Sequence, residues 1–223
     1  MKACIFDSGA IISLAMNNLL YILPALQKKT KLIITPAVKR EIIDRPLTIP
    51  RFALEALQVK ELFDQGILEL PEAVGISSAT LTAETTKLMD KANHFVQAGG
   101  VWVPIVSEGE ISCLALSEAL TAKGIDNLIA IDERTTRLLI EAPRNLERLM
   151  SDKLHKRITL TYQDLSVFSA FRCIRSSELV VVAYKQGILH PNTKQALAAA
   201  LYATKFKGSS ITFEEIEQLK KLG

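Results

Sequence analysis

Short apolar runs that end on an acidic or hydroxyl residue, each followed by a helical pattern, recur along this chain. Residues 3 to 6, Ala-Cys-Ile-Phe, end on Asp7, and Ser8-Gly9 then permits a sharp exit into the helical pattern Ala10-Ile11-Ile12-Ser13-Leu14-Ala15. Leu32-Ile33-Ile34 repeats the arrangement, with Thr35 as a natural N-cap and Pro36 at the first position of a helix expected from Ala37 to Asp44. Pro46 and Pro50 break that helix. An amphipathic helix should follow from Arg51 to Gln65, stopped by Gly66, and Ile67 to Leu70 is a third apolar run before Pro71.

From Glu72 to Gly100 the pattern is a polar loop and one helix, with Leu81, Leu88, Ala92, Phe95 and Val96 spaced to give it an apolar face. Ile105-Val106 reads as another short strand, leading through Ser107-Glu108-Gly109-Glu110 into a helix over 111–120 that Gly124 closes. The apolar strand Leu128-Ile129-Ala130-Ile131 again ends on a carboxylate, Asp132. Beyond it the pattern gives a strand from Ile158 to Thr161 and helical segments near 164–173 and 177–186. A helix through Ala196 to Tyr202, capped by Asn192 or Thr193, precedes a last helix whose Thr212 and Glu215 make a capping-box pattern. Strands alternating with helices argue for an α/β fold with a parallel sheet covered on both faces.

Composition changes this picture little. With 223 residues and 48% hydrophobic content the chain can bury one substantial core, so residues 1–223 read as a single domain with a helical elaboration at 72–104 and a C-terminal helical extension at 188–223. Lys plus Arg number 27 against 24 Asp plus Glu, a balance of +3 that permits a nucleic-acid partner without demanding one. Cys4, Cys113 and Cys173 lie far apart among apolar neighbours and read as buried thiols, which argues against a disulfide framework or a zinc site. His94, His155 and His190 share no metal-ligand spacing and read as surface residues. The opening MKACIFD runs straight into a strand with no secretory pattern, and no apolar run approaches the ~20 residues of a membrane span, so a cytoplasmic protein without membrane partners is expected.

Four acids gain meaning from their placement. In open α/β sheets ligands bind outside the carboxyl ends of the strands, so Asp7 and Asp132 should project into one crevice. Glu110, in a helical first turn, and Glu41, six residues beyond Thr35, can point at the same edge. Converging carboxylates repel, and a divalent cation resolves the conflict; Mg²⁺ or Mn²⁺ suits oxygen ligands without His or Cys and supports phosphodiester hydrolysis. Taken singly, Asp7, Asp132 and Glu110 can equally cap helices, and Glu41 reads as an ordinary solvated residue; only the joint placement favours a site. Lys39, Arg40, Arg134 and Arg137 lie on helices adjoining the acids and are candidate phosphate contacts, as is the cluster Lys153, Lys156 and Arg157.

The segments that carry these acids resemble the motifs of the PIN-domain family. Cys4-Ile5-Phe6-Asp7-Ser8-Gly9-Ala10-Ile11-Ile12 is similar to the family's opening signature, and Ile34-Thr35-Pro36-Ala37-Val38-Lys39-Arg40-Glu41 to the segment bearing its second acid. Ser107-Glu108-Gly109-Glu110-Ile111-Ser112-Cys113-Leu114-Ala115-Leu116 resembles the third motif and Ile129-Ala130-Ile131-Asp132-Glu133-Arg134 the fourth. The tail, Ser177 to Leu189 and then Lys205-Phe206-Lys207-Gly208 with Ile211 to Glu215, looks like the C-terminal helices of a prokaryotic PIN subgroup of the VapC-like toxin type. Two departures stand out: residues 72–104 form a longer segment than in compact members, and 144–176 lacks a Gly-Thr turn before the helix at 177.

The resemblance implies a three-layer α/β/α PIN-like fold with a central parallel sheet. It also implies a Mg²⁺- or Mn²⁺-dependent endoribonuclease whose metal-binding core is Asp7, Glu41, Glu110 and Asp132, with RNA as substrate. Glu108 and Glu133 stand beside that core, and Ser8 either orders a ligand water or simply starts a helix. An antitoxin-like protein and a homodimer partner are implied in the same way. The rival readings are a catalytically inactive PIN-fold module that binds RNA or protein, and a phosphatase using Asp7 as acceptor, against which stands Gly9 where such enzymes carry a second Asp.

Overall fold

The structure is a computed structural model that describes residues 2–160, 168 and 170–222. Its centre is a sheet of four parallel strands in the order β2-β1-β5-β7. These are β1 (Lys2–Phe6), β2 (Lys31–Ile34), β5 (Asp126–Ala130) and β7 (Cys173–Ile174). Parallel strands need crossovers, and helices supply them. α1 (Ser8–Met16) and α2 (Ile22–Gln27) join β1 to β2, while α6 (Glu108–Ala122) delivers the chain to β5 and packs on both β1 and β5. The register sets Phe6 beside Ile34 on one side and Ala130 on the other, so β1, β2 and β5 finish at one level. Chain order reverses direction between β1 and β5, which makes their carboxyl ends a topological switch point.

Cys4, Ile5, Phe6, Ile33, Ile34 and Ile129 are buried, as the near-continuous apolar runs of a covered parallel sheet require. The helix expected over 37–44 begins as α3 (Pro36–Lys39), with Thr35 Oγ1 accepting from the Val38 amide at 3.2 Å, and passes into a π-helical turn over Arg40–Asp44. α4 (Ala53–Asp64) follows after two 3-10 turns at Pro46–Thr48 and Pro50–Phe52. The apolar run at 67–70 joins the sheet by a single bridge, Ile33 to Glu69, because Pro71 ends its pairing.

The region 72–104 holds the one α-helix expected and, beyond it, a hairpin. After a 3-10 turn at Pro71–Val74 comes α5 (Ser78–Asn93), whose Leu81, Leu88 and Ala92 are buried as the spacing predicts. Phe95 and Val96 are buried too, but beyond the helix end, and Val96 opens a hairpin of β3 (Val96–Ala98) and β4 (Val101–Trp102). The positive φ angles of Gly99 and Gly100 allow its tight turn. β6 (Ile158–Leu160) pairs antiparallel with β3, so the strand expected at 158–161 belongs to a second, three-stranded sheet and not to the parallel one. Ile105-Val106, read as a strand, has no ladder: Pro104 lacks an amide hydrogen and the chain enters the Ser107 cap directly.

α7 (Arg134–Glu141) and α8 (Leu146–Leu154) follow β5. The helical segment read near 164–173 falls largely outside the described residues, and its end is corrected: Cys173–Ile174 is the edge strand β7, held by Ile129 N to Arg172 O and Ile131 N to Ile174 O at 2.9 Å each. The unpaired edge of β5 outweighs local helical spacing there. α9 (Ser176–Lys185), α10 (Lys194–Phe206) and α11 (Phe213–Leu222) complete the chain, the last two capped by Thr193 and by the Thr212–Glu215 box. Among the described residues no helix is long and apolar enough to cross a membrane.

Candidate functional site

Asp7, Glu41 and Glu110 come together at the carboxyl edge of β1. Asp7 is the N-cap of α1 and is 2% exposed; its Oδ2 accepts from the Gly9 amide at 3.1 Å, while Oδ1 is buried with no hydrogen-bond partner among the described residues. Burial is the main reason its pKa is pushed up to about 7, with repulsion from Glu110 and, more weakly, Glu41 added; the Gly9 and Ser8 amides pull the other way. Ser8 is the first residue of α1.

Glu110 is held by a reciprocal cap. Its backbone amide donates to Ser107 Oγ at 3.3 Å, and the Ser107 amide donates to Glu110 Oε2 at 2.6 Å. Burial raises its pKa, the Ser107 amide opposes that, and the negative charge of Glu133 adds to the rise. Glu41 lies in the π-helical turn, a widening of the helix that recurs at functional sites. Its carboxylate rests against Gly109: a Cβ on Gly109 would stand 2.8 Å from Glu41 Oε2 and 2.9 Å from Oε1. Only a residue without a side chain leaves that space. Among the described residues no hydrogen-bond donor reaches Glu41.

Asp132 is also 2% exposed and lies close by, since a Cβ on Gly9 would be 3.4 Å from Asp7 Oδ2 and 3.8 Å from Asp132 Cβ. Its surroundings differ. Oδ1 accepts from the Ser176 amide at 2.9 Å and from Ser209 Oγ at 3.2 Å, and Oδ2 accepts from Ser176 Oγ at 2.6 Å. Burial raises its pKa, while those hydrogen bonds and the Arg137 charge lower it.

The flanking groups are largely engaged. Glu133 caps α7 by accepting from the Thr136 amide at 2.9 Å, and Glu108 pairs with Arg40 at 2.7 Å. Lys39 pairs with Asp44 and Arg137 with Glu141, each at 2.7 Å. Arg134 is exposed and, among the described residues, has no ion pair; Lys153 in the last turn of α8 and Lys156 and Arg157 beyond it are likewise exposed. Cys113 is buried beside the acids, with Sγ 3.6 Å from the Phe6 carbonyl oxygen, and its thiol is pushed up by burial and by Asp7, Glu110 and Glu41. The three cysteines are free thiols, Cys4 and Cys113 buried and Cys173 half-buried.

These residues fit a divalent cation in part. The unpartnered buried Asp7 Oδ1, the carboxylate held in the Gly109 notch and three acids whose charges oppose one another are what a hard cation satisfies. Asp132 presents oxygens already committed to serine donors, and among the described residues no three His, Cys, Asp or Glu side chains stand as a finished ligand set. Sequence reasoning missed Ser176, Ser209 and Gly109. The first two lie 44 and 77 residues from Asp132, beyond any local pattern; Gly109 was visible within a motif, but nothing in its neighbours signals that Glu41 fills its missing side chain.

The chain is a mixed α/β protein with a four-stranded parallel sheet flanked by helices and buried acids at the switch point. Comparison with known families, curated proteins and solved structures finds no match to it.

Proposed function

We propose that this protein is a metal-dependent endoribonuclease of PIN-like, three-layer fold. The observation that carries the reading is the convergence of buried Asp7 and Glu110 with half-buried Glu41 at the switch point, where Asp7 Oδ1 lacks a partner among the described residues. Asp7, Glu41 and Glu110 hold oxygens toward a Mg²⁺ or Mn²⁺ ion, Gly109 leaves room for Glu41, and Ser176 and Ser209 fix the carboxylate of Asp132 at the same edge. A bound ion supplies charge neutralisation and an acidified water for attack on phosphorus. Arg134 is the exposed cation best placed for an RNA phosphate, while Lys39, Arg40 and Arg137 must first leave their carboxylate partners. The free thiols agree with a reducing, cytoplasmic setting. A toxin role with an antitoxin-like protein, or RNA processing by a homodimer, shares the same chemistry.

A second reading draws on Asp132. Its fully satisfied carboxylate suits a structural hub, and a catalytically inactive module binding RNA or protein needs nothing more of it. Incubation of the protein with labelled mixed-sequence RNA in Mg²⁺, Mn²⁺ or EDTA separates the two. Metal-dependent cleavage that disappears in Asp7→Asn and in Asp132→Asn, both folded by circular dichroism, is expected; identical behaviour of wild type and variants hands the case to the binding module.

A further inference from the structure

A groove of about 420 Å³ runs between α3, α5 and the start of α6. It adjoins the acids on two segments at once, because Arg40 in its wall precedes Glu41 and Glu108 precedes Gly109. Its size falls in the roughly 300–1,000 Å³ range of small-molecule sites. Leu81, Met89 and Pro36 provide apolar surface.

The polar part of the wall is richer in acceptors than in donors. Thr82 Oγ1 donates to the Ser78 carbonyl at 2.9 Å, Thr85 Oγ1 to the Leu81 carbonyl at 2.7 Å and Thr86 Oγ1 to the Thr82 carbonyl at 3.0 Å. Ser112 Oγ donates to the Gly109 carbonyl at 2.7 Å, and Ser78 Oγ to Glu72. A hydroxyl has one hydrogen, so each of these groups offers the groove lone pairs only. Asn93 Oδ1, in the same wall, is buried without a partner among the described residues. The one cation of the wall, Arg40, is paired with Glu108 at 2.7 Å, and Asp90 adds a second carboxylate. The donors of the wall are the Asn93 Nδ2 amide and the Arg40 N–H groups not used on Glu108; acceptors outnumber them, and the surface favours N–H groups over phosphate.

We propose that this groove binds a nucleobase carrying an exocyclic amino group, next to the phosphate held at the acid cluster. The choice of ligand rests on the ribonuclease reading above; the acceptor-lined wall is independent of it. Guanine, adenine and cytosine bring an amino group to the lone pairs. Uracil brings two carbonyls around a single N–H and meets acceptor with acceptor.

The test titrates the full chain, in EDTA so that no turnover occurs, with GMP, AMP, CMP and UMP, followed by amide shifts in NMR. Binding of the amino-bearing nucleotides about tenfold tighter than UMP is expected, with shifts centred on residues 78–93 and 108–112. A Thr82→Val, Thr86→Val double variant, altered at exposed helical positions and checked by circular dichroism, should lose the discrimination. Equal affinity for all four, no binding, shifts elsewhere, or discrimination that survives in the double variant overturns the proposal. The RNA assay with metal stands apart: cleavage without base discrimination removes the groove alone, and discrimination without cleavage removes the nuclease and keeps the groove.

Discussion

Asp7 and Asp132 look equivalent from the sheet and are opposites in chemistry. Each follows a parallel strand, each is 2% exposed, and Gly9 packs against both. Asp7 receives a single amide, shares its surroundings with Glu110 and Glu41, and keeps one oxygen without a partner. Asp132 receives three hydrogen bonds from Ser176 and Ser209. Strand-end position therefore delivers a carboxylate to the crevice, but the donors from later in the chain decide whether it is left reactive or made a fastening.

The largest expected effect tests the Asp7 side. Its folded pKa, about 7, lies above the ordinary value of 3.8, so between those limits the native state binds more protons than the unfolded chain. Stability must then fall as pH rises from about 4 through 7, by an amount on the order of 4 kcal/mol from this residue. Glu110 and Asp132, also raised, act in the same direction. Urea unfolding in EDTA should show the midpoint dropping across that window, and Asp7→Asn should flatten the curve while keeping a side-chain oxygen for the Gly9 amide. Added Mn²⁺ should restore the wild type at neutral pH and do little for the variant. A pH-independent wild type would mean that Asp7 is solvated and the contrast with Asp132 is false.

Next in size is the loss of the fastening. Asp132→Ala strands the Ser176 amide in the interior and leaves the Ser176 and Ser209 hydroxyls only their longer bonds to Ser13 and Ser177, which should cost about 2 kcal/mol by denaturant titration at low pH, where Asp7 is protonated. Asp7→Ala under the same conditions leaves only the Gly9 amide short of an acceptor and should cost about 1 kcal/mol. Equal losses would erase the distinction.

The sequence carried one side of this contrast more fully than the other. β1, β2 and β5, the cap Thr35, and the positions of Asp7 and Glu110 follow from apolar runs and helix-start chemistry, all within a few residues, whereas the Ser107 cap was not read although its capping-box pattern with Glu110 is just as local. The hairpin β3–β4 and its pairing with β6 join residues about sixty apart, and β7 is only two residues long, so neither leaves a periodic signal. The same holds for the serines around Asp132. Arg175 shows it again: only the folded chain reveals that its 5%-exposed guanidinium pairs with Glu178 at 2.6 Å and Glu215 at 2.8 Å, tying the C-terminal helix beside Ser209.

The smallest effect on stability should accompany a large effect on metal binding, and Gly109→Ala produces it. The new Cβ would lie 2.8 Å from Glu41 Oε2, so the Glu41 carboxylate, the far end of a flexible side chain, must swing out of its notch. Alanine is the better helix former by up to about 1 kcal/mol, which offsets the crowding and leaves folding stability near the wild-type value. Asp132 and its serines are untouched. Isothermal titration with Mn²⁺ should then show affinity reduced about tenfold, while the denaturation midpoint in EDTA moves little. Unchanged Mn²⁺ affinity would remove Glu41 from the site and leave Asp7 and Glu110 as its acids. A large drop in stability would instead mean that the notch at Gly109 is a packing contact of the fold, and the Asp7 side would then differ from the Asp132 side only in the number of its hydrogen bonds.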